Sequence, residues 1–247
     1  MLIVANWKAY VESREEAKKL LATAKRLSST RRVRIVLAPP APYLGMLAPG
    51  NRSRVLFAAQ DISDTTVGNA TGEVTGAALR NIGATYVLVG HSERRAKGET
   101  DTVVAEKIKR ALVNGLIPIL CIGEKQRDED AQYLGELKQQ LTSVFSTLSP
   151  KERLGVVIAY EPVWAIGKHA ESAISSQDLA EMVLYIRKVL SEYLPGKSAT
   201  KATILYGAAV EPANIRGLAG GSGVDGFLVG HASVDPGMFP ALVKALA

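Results

Sequence analysis

The chain has 247 residues, of which 47% are hydrophobic and 22% charged, a length and balance that suit one large α/β domain or two small ones and exclude long disorder or a fibrous repeat. A single Cys excludes an internal disulfide framework and a Cys-rich zinc site, which points to a reducing compartment. Thirty Lys and Arg against twenty-four Asp and Glu leave a net charge of +6, but the basic residues are scattered, so they read as solubility charge compatible with an anionic small substrate and not as a nucleic-acid stripe.

Short apolar runs recur along the chain at 2–5, 33–38, 55–59, 86–89, 117–122, 156–160, 203–206 and 226–229. They are nearly continuous and lack strict alternation, the pattern of parallel strands covered on both faces. Between them lie amphipathic helices. Ala17, Leu20, Leu21, Ala24 and Leu27 line one face of the first, with Ser13 and Glu16 spaced as a capping box. Val104, Ile108, Ala111 and Leu112 mark the helix after the fourth strand; Leu179, Met182, Val183, Ile186 and Leu190 mark the one after the sixth, with Ser175 and Ser176 as cap candidates. The last helix is predicted to begin at Asp235 and Pro236. Apolar runs such as 116–122 fall far short of the about 20 residues a membrane span needs, and residues 1–8 lack the character of a signal peptide. A soluble cytoplasmic protein is the expectation.

No composition shift marks a domain boundary. Eight βα units of roughly 31 residues each predict a single closed (β/α)8 barrel with eight parallel strands, spanning residues 1–247. A doubly wound open sheet competes, but it normally carries a Gly-rich turn after the first strand, where this chain reads Asn6-Trp7-Lys8. The string from Gly221 through Gly223 to Gly226 matches a dinucleotide fingerprint by letter only: it follows a helix and precedes a strand, so it reads as a turn. His91, His169 and His231 offer no metal spacing.

In such a barrel the chemistry lies where strands end. Asn6 and Lys8 follow the first strand, Gly90 to Arg95 the fourth and Glu161 the sixth, while Gly207, Ala208 and Ala209 and then Gly230 and His231 follow the last two. Each alone is compatible with a structural role, Lys8 on the surface, His91 as a helix cap, Glu161 in an ion pair. Converging on one mouth, they suit proton abstraction beside the carbonyl of a phosphorylated sugar.

At these residues the sequence resembles the triosephosphate isomerase family. The matching strings are Ala5 to Lys8, Thr71 to Glu73, Gly90 to Arg95, Cys121 to Glu124, Tyr160 to Gly167 and Phe227 to Gly230. They cover essentially the whole chain in family order. The family is a well-known example of acid–base chemistry tuned by environment, so the roles that follow come with the resemblance.

It implies a TIM barrel interconverting dihydroxyacetone phosphate and glyceraldehyde 3-phosphate without cofactor or metal. Glu161 would be the base, His91 the neutral electrophile and Lys8 the positive charge. Asn6, Lys8, Gly167, Ala209, Gly230 and His231 would hold the substrate. Glu93 would stand behind the residues that touch the substrate, and Cys121 would pack beside the base. Pro162, Val163, Trp164, Ala165, Ile166, Gly167 and Lys168 would form a lid. The 61–72 loop, with Thr71 reaching a neighbour's Lys8, implies a homodimer, weakened where Ala70 replaces a usual aromatic residue.

Three departures stand out. The family's Thr-Gly-Lys after Gly167 is Lys168-His169-Ala170, its Gly-Gly-Ser is Gly207-Ala208-Ala209, and its Gly-Gly is Gly230-His231. His231 is expected to be strained if its position needs positive φ, and His231 or His169 to contact the phosphate. Two other readings stay open: a different sugar-phosphate barrel enzyme such as a Schiff-base aldolase, and a non-catalytic barrel.

Overall fold

A computed structural model describes residues 1–29, 32–65, 68–167 and 173–247. Eight strands pair in chain order and close on themselves: β1 (Leu2–Asn6), β2 (Arg34–Ala38), β3 (Leu56–Ala59), β4 (Tyr86–Val89), β5 (Ile117–Ile122), β6 (Val157–Tyr160), β7 (Ile204–Tyr206) and β8 (Gly226–Val229). Every pairing is parallel, and the seam joins Leu2 to Gly226 and Ala5 to Val229. The fold is the expected TIM barrel. β4, β5 and β8 match their predicted bounds, and the other strands shift by one residue.

Around the barrel run α1 (Arg14–Leu27), α2 (Ala41–Leu47), α3 (Gly76–Asn81), α4 (Ser92–Arg95), α5 (Asp101–Val113), α6 (Tyr133–Phe145), α7 (Pro150–Arg153), α8 (Ser176–Leu190), α9 (Ile215–Gly221) and α10 (Met238–Leu246). Their predicted faces are buried: Ala17, Leu20, Leu21 and Ala24 on α1, and Leu179, Met182, Val183, Ile186 and Leu190 on α8. Ser13 accepts the Glu16 N–H, one half of the predicted box, while both halves form at Ser149 and Glu152. α10 starts at Met238, later than predicted: Asp235 caps the turn before it, its Oδ1 accepting the N–H groups of Gly237 and Met238 and its carbonyl the Phe239 N–H, but Pro240 has no N–H for the Pro236 carbonyl, so the regular ladder begins after that gap. The segment from Gly221 to Gly226 is the expected turn between α9 and β8. Among the described residues no helix is long and apolar enough to cross a membrane.

Alternation along the strands fixes which side chains reach the mouth. Val4, Leu88, Cys121, Ala159 and Leu228 belong to the cluster that fills the barrel, while Ile3, Val87, Leu120 and Ile158 pack against the helices. The period of two therefore aims Asn6, two residues beyond Val4, and Glu161, two beyond Ala159, at the interior end of the barrel.

Candidate active site

β1 delivers Asn6, and the chain then bends so sharply that Lys8 has φ 46. That left-handed conformation costs a residue with a side chain of order 1–2 kcal/mol. Two amides hold it in place: Asn6 Oδ1 accepts the Lys8 N–H at 3.0 Å, and Gln60 Nε2 donates to the carbonyls of Lys8 at 2.9 Å and Ala38 at 2.8 Å. The Lys8 ammonium then pairs with Glu93 Oε1 at 2.8 Å.

His91 precedes α4, and its Nδ1 accepts the Glu93 N–H at 3.2 Å. A nitrogen that accepts carries no proton, so a neutral ring bears its hydrogen on Nε2. Nε2 stands 3.3 Å from Glu161 Oε1, and both side chains are buried. The other carboxylate oxygen of Glu161 accepts the Ser92 N–H at 3.4 Å. Arg95 stiffens the turn, donating to the Gly90 carbonyl at 2.8 Å and pairing with Asp101 at 2.6 Å.

Two glycines make room for the carboxylate. A Cβ on Gly123 would lie 1.8 Å from the Glu161 carbonyl oxygen, and one on Gly207 would lie 3.0 Å from Glu161 Cγ. The first contact is impossible; the second displaces the side chain. Gly207→Ala is expected to lower kcat roughly 10- to 100-fold through misplacement of the carboxylate. Steady-state kinetics check this, and a change below twofold would show that Glu161 does not depend on that space.

Cys121 is buried, and burial pushes its thiol well above the ordinary range, with the neighbouring Glu161 charge adding to the effect. It is a packing residue without thiolate chemistry. Glu93 shows the opposite balance: burial opposes ionisation, but the Lys8 hydrogen bond and charge outweigh it and hold the carboxyl below the ordinary 4.5. A depressed folded value contributes stability that is complete above the unfolded value and is lost as pH falls through the folded one. A carbon-detected NMR titration should therefore place the Glu93 midpoint below 4.5 and move it upward in Lys8→Met. An unmoved midpoint would contradict the assignment.

Asn6, Lys8, His91 and Glu161 share one cavity of about 140 Å³ with Gly167, Ala209, Gly230 and His231. The residues singled out on five strand ends thus meet in one place. The triosephosphate isomerase family model matches residues 1–246. The chain belongs to the triosephosphate isomerase family. A triosephosphate isomerase from Symbiobacterium thermophilum is 39% identical over 250 residues, covering all of this chain and 96% of the relative. One from Moorella thermoacetica is 37% identical, covering 98% and 97%, and one from Thermus thermophilus is 38% identical, covering 99% and 98%.

Against the pattern of triosephosphate isomerases, the condition for strain at His231, a positive φ, is not met. Among the described residues other than glycine, positive φ occurs at Lys8 and Ala131. His231 starts a short helical turn to Ser233, and Gly230, with φ −84 and ψ −116, absorbs the change of direction. Lys168 and His169 lie outside the described residues, so their expected parts in the lid and at the phosphate do too. Thr71 is exposed in the loop before α3.

The sequence reading missed the anchor of the segment from Val163 to Gly167. Glu124, fully buried after β5, accepts Tyr160 Oη–H at 2.9 Å and Trp164 Nε1–H at 2.8 Å on one oxygen. Its carbonyl accepts the Val163 N–H at 2.9 Å. Arg127 Nε approaches the same carboxylate at 3.3 Å, and its guanidinium lies 5.1 Å over the Trp164 ring. Burial pushes the Tyr160 phenol well above its ordinary range and the Glu124 charge adds to that, so it remains a donor. Val163, Trp164 and Ala165 form a single helical turn pinned at this point, and Ile166 and Gly167 continue from it to the cavity.

Proposed function

We propose that Glu161 is the base that moves a proton between the two carbons flanking the carbonyl of a triose phosphate, interconverting dihydroxyacetone phosphate and glyceraldehyde 3-phosphate through an enediolate. The observation that carries this reading is the 3.3 Å approach of His91 Nε2 to Glu161 Oε1 within one cavity, with the ring's other nitrogen already accepting a backbone N–H. A neutral ring N–H donates to the oxygen on which charge develops, and Lys8 supplies positive charge beside it. Glu93 holds Lys8, and Asn6 holds the turn that carries it. Closure of residues 162–168 would exclude water and so strengthen each of these interactions.

The phosphate would lie at Gly167, Ala209, Gly230 and His231, which line the cavity beside Lys8 on loops of small residues that let a main chain approach an anion. Residues 1–247 act as one barrel domain, with no cofactor or metal in the reaction. The phosphorylated substrates do not cross bilayers unaided, which supports a cytoplasmic setting. A homodimer is supported by a broad groove beside Lys8 and His91 that also runs past Asp61, Gly72 and Glu73; a second copy's Thr71 loop would occupy it, and Ala70 would leave that contact modest.

A coupled assay tests the reading: the purified protein should convert glyceraldehyde 3-phosphate to dihydroxyacetone phosphate without added metal. No conversion would favour a non-catalytic barrel, and borohydride trapping of a Lys adduct would favour an aldolase. Lys8 is a poor Schiff-base candidate, since its ammonium is held at 2.8 Å by Glu93.

A further inference from the structure

The loops after β1 and β8 stand side by side because those strands form the seam of the barrel. Above the seam they are joined by two side chains. The His231 ring meets the Tyr10 ring edge to face, with centroids 5.5 Å apart and planes at 83°. Each chain end of this contact is locally fixed. Tyr10 N–H donates to the Trp7 carbonyl at 3.1 Å, and Ser233 N–H donates to the Gly230 carbonyl at 2.8 Å. Both rings line the cavity that holds Lys8, His91 and Glu161. A Cβ on Gly230 would lie 3.4 Å from Lys8 Cε and 3.8 Å from Nζ, so the turn that carries His231 rests against the ammonium. Among the described residues neither ring nitrogen of His231 has a hydrogen-bond or ion-pair partner. The carboxylate of Asp235, four residues on, is committed to the N–H groups of Gly237 and Met238.

We propose that His231 is a specificity-determining residue for the phosphate end of the substrate, with Tyr10 as its positioning partner; this rests on the triose phosphate reading of the site. The rim of the cavity next to Lys8 holds a ring whose nitrogens have no hydrogen-bond partner among the described residues, so it has an N–H to offer a ligand. An edge-to-face contact limits ring rotation and so reduces the entropy lost when the N–H is fixed on a phosphate oxygen. Where backbone N–H groups alone would serve, a side-chain donor is added, and it discriminates between a phosphate ester and an unphosphorylated sugar because its bond to an anionic phosphate oxygen is charge-assisted and its bond to a neutral hydroxyl is not. The Tyr10 ring matters for where the imidazole stands, and its hydroxyl does not enter the argument.

Calorimetric titration with inorganic phosphate, beside steady-state kinetics on glyceraldehyde 3-phosphate, tests this. His231→Ala should raise the Kd for phosphate about tenfold, with KM for the substrate rising by the same factor and more than kcat falls. His231→Gln, which keeps an N–H donor at similar reach, should recover most of that loss. Tyr10→Leu should weaken phosphate binding in the same direction, Tyr10→Phe should recover it, and Tyr10→Leu combined with His231→Ala should be no weaker than His231→Ala alone. Phosphate affinity unchanged in His231→Ala, or full additivity in the double variant, would overturn the proposal. If phosphate binding responds as stated but the wild-type protein does not isomerise triose phosphates, the reading of the reaction fails and the anion contact stands.

Discussion

Glu161→Gln is expected to lower kcat for triose phosphate isomerisation by about 10²- to 10⁴-fold, the range over which a positioned base contributes. The amide keeps the size of the side chain and an oxygen for the Ser92 N–H, which the carboxylate accepts at 3.4 Å. The barrel should therefore fold as before, and circular dichroism with a thermal melt checks that. KM should change little beside kcat, because the loss falls on the proton-transfer step. A variant with more than a tenth of wild-type kcat would remove Glu161 from the reaction.

His91→Ala is expected to lower kcat by about 10²- to 10³-fold, the cost of removing one donor aimed at a developing oxyanion. It also releases the Glu93 N–H that His91 Nδ1 accepts at 3.2 Å, so His91→Asn is the better-controlled variant. Its side-chain oxygen can accept that N–H as an ordinary helix cap, while its shorter reach leaves no donor at the place of Nε2. Both variants should lose activity alike if the donor is what matters. Recovery in His91→Asn would make the ring a cap and nothing more.

The architecture was legible because parallel strands buried on both faces leave continuous apolar runs, and β4, β5 and β8 ended where those runs ended. His91 and Glu161 were legible for a related reason: a polar residue directly after such a run has no surface of its own to face, so it stands out. The start of α10 was not. Pro236 does follow a cap, Asp235, but Pro240 has no N–H to give the Pro236 carbonyl, and that gap moves the regular ladder to Met238.

Glu124 illustrates a deeper limit. After Gly123 it reads as a loop acid, and its burial depends on Tyr160, 36 residues away, Trp164, 40 away, and Arg127 closing around it. In the sequence it stands out only as the end of the family string from Cys121 to Glu124, with no partner attached to it. Gln60 is similar, since an amide near the end of β3 gains meaning only when the Lys8 carbonyl, 52 residues distant, needs a donor. At His231 the family pattern raised the question of strain, which the structure answers: Gly230 takes up the backbone turn and leaves the histidine without a positive φ.

The most direct test of a carboxylate that lifts a proton, in place of a hydride passing between carbons, is isomerisation in deuterium oxide. The glyceraldehyde 3-phosphate formed from dihydroxyacetone phosphate should carry solvent deuterium on the carbon beside the aldehyde, because a proton held by Glu161 exchanges before it is returned. Product formed at the full rate with no deuterium at that carbon would contradict the enediolate route and the role assigned to Glu161.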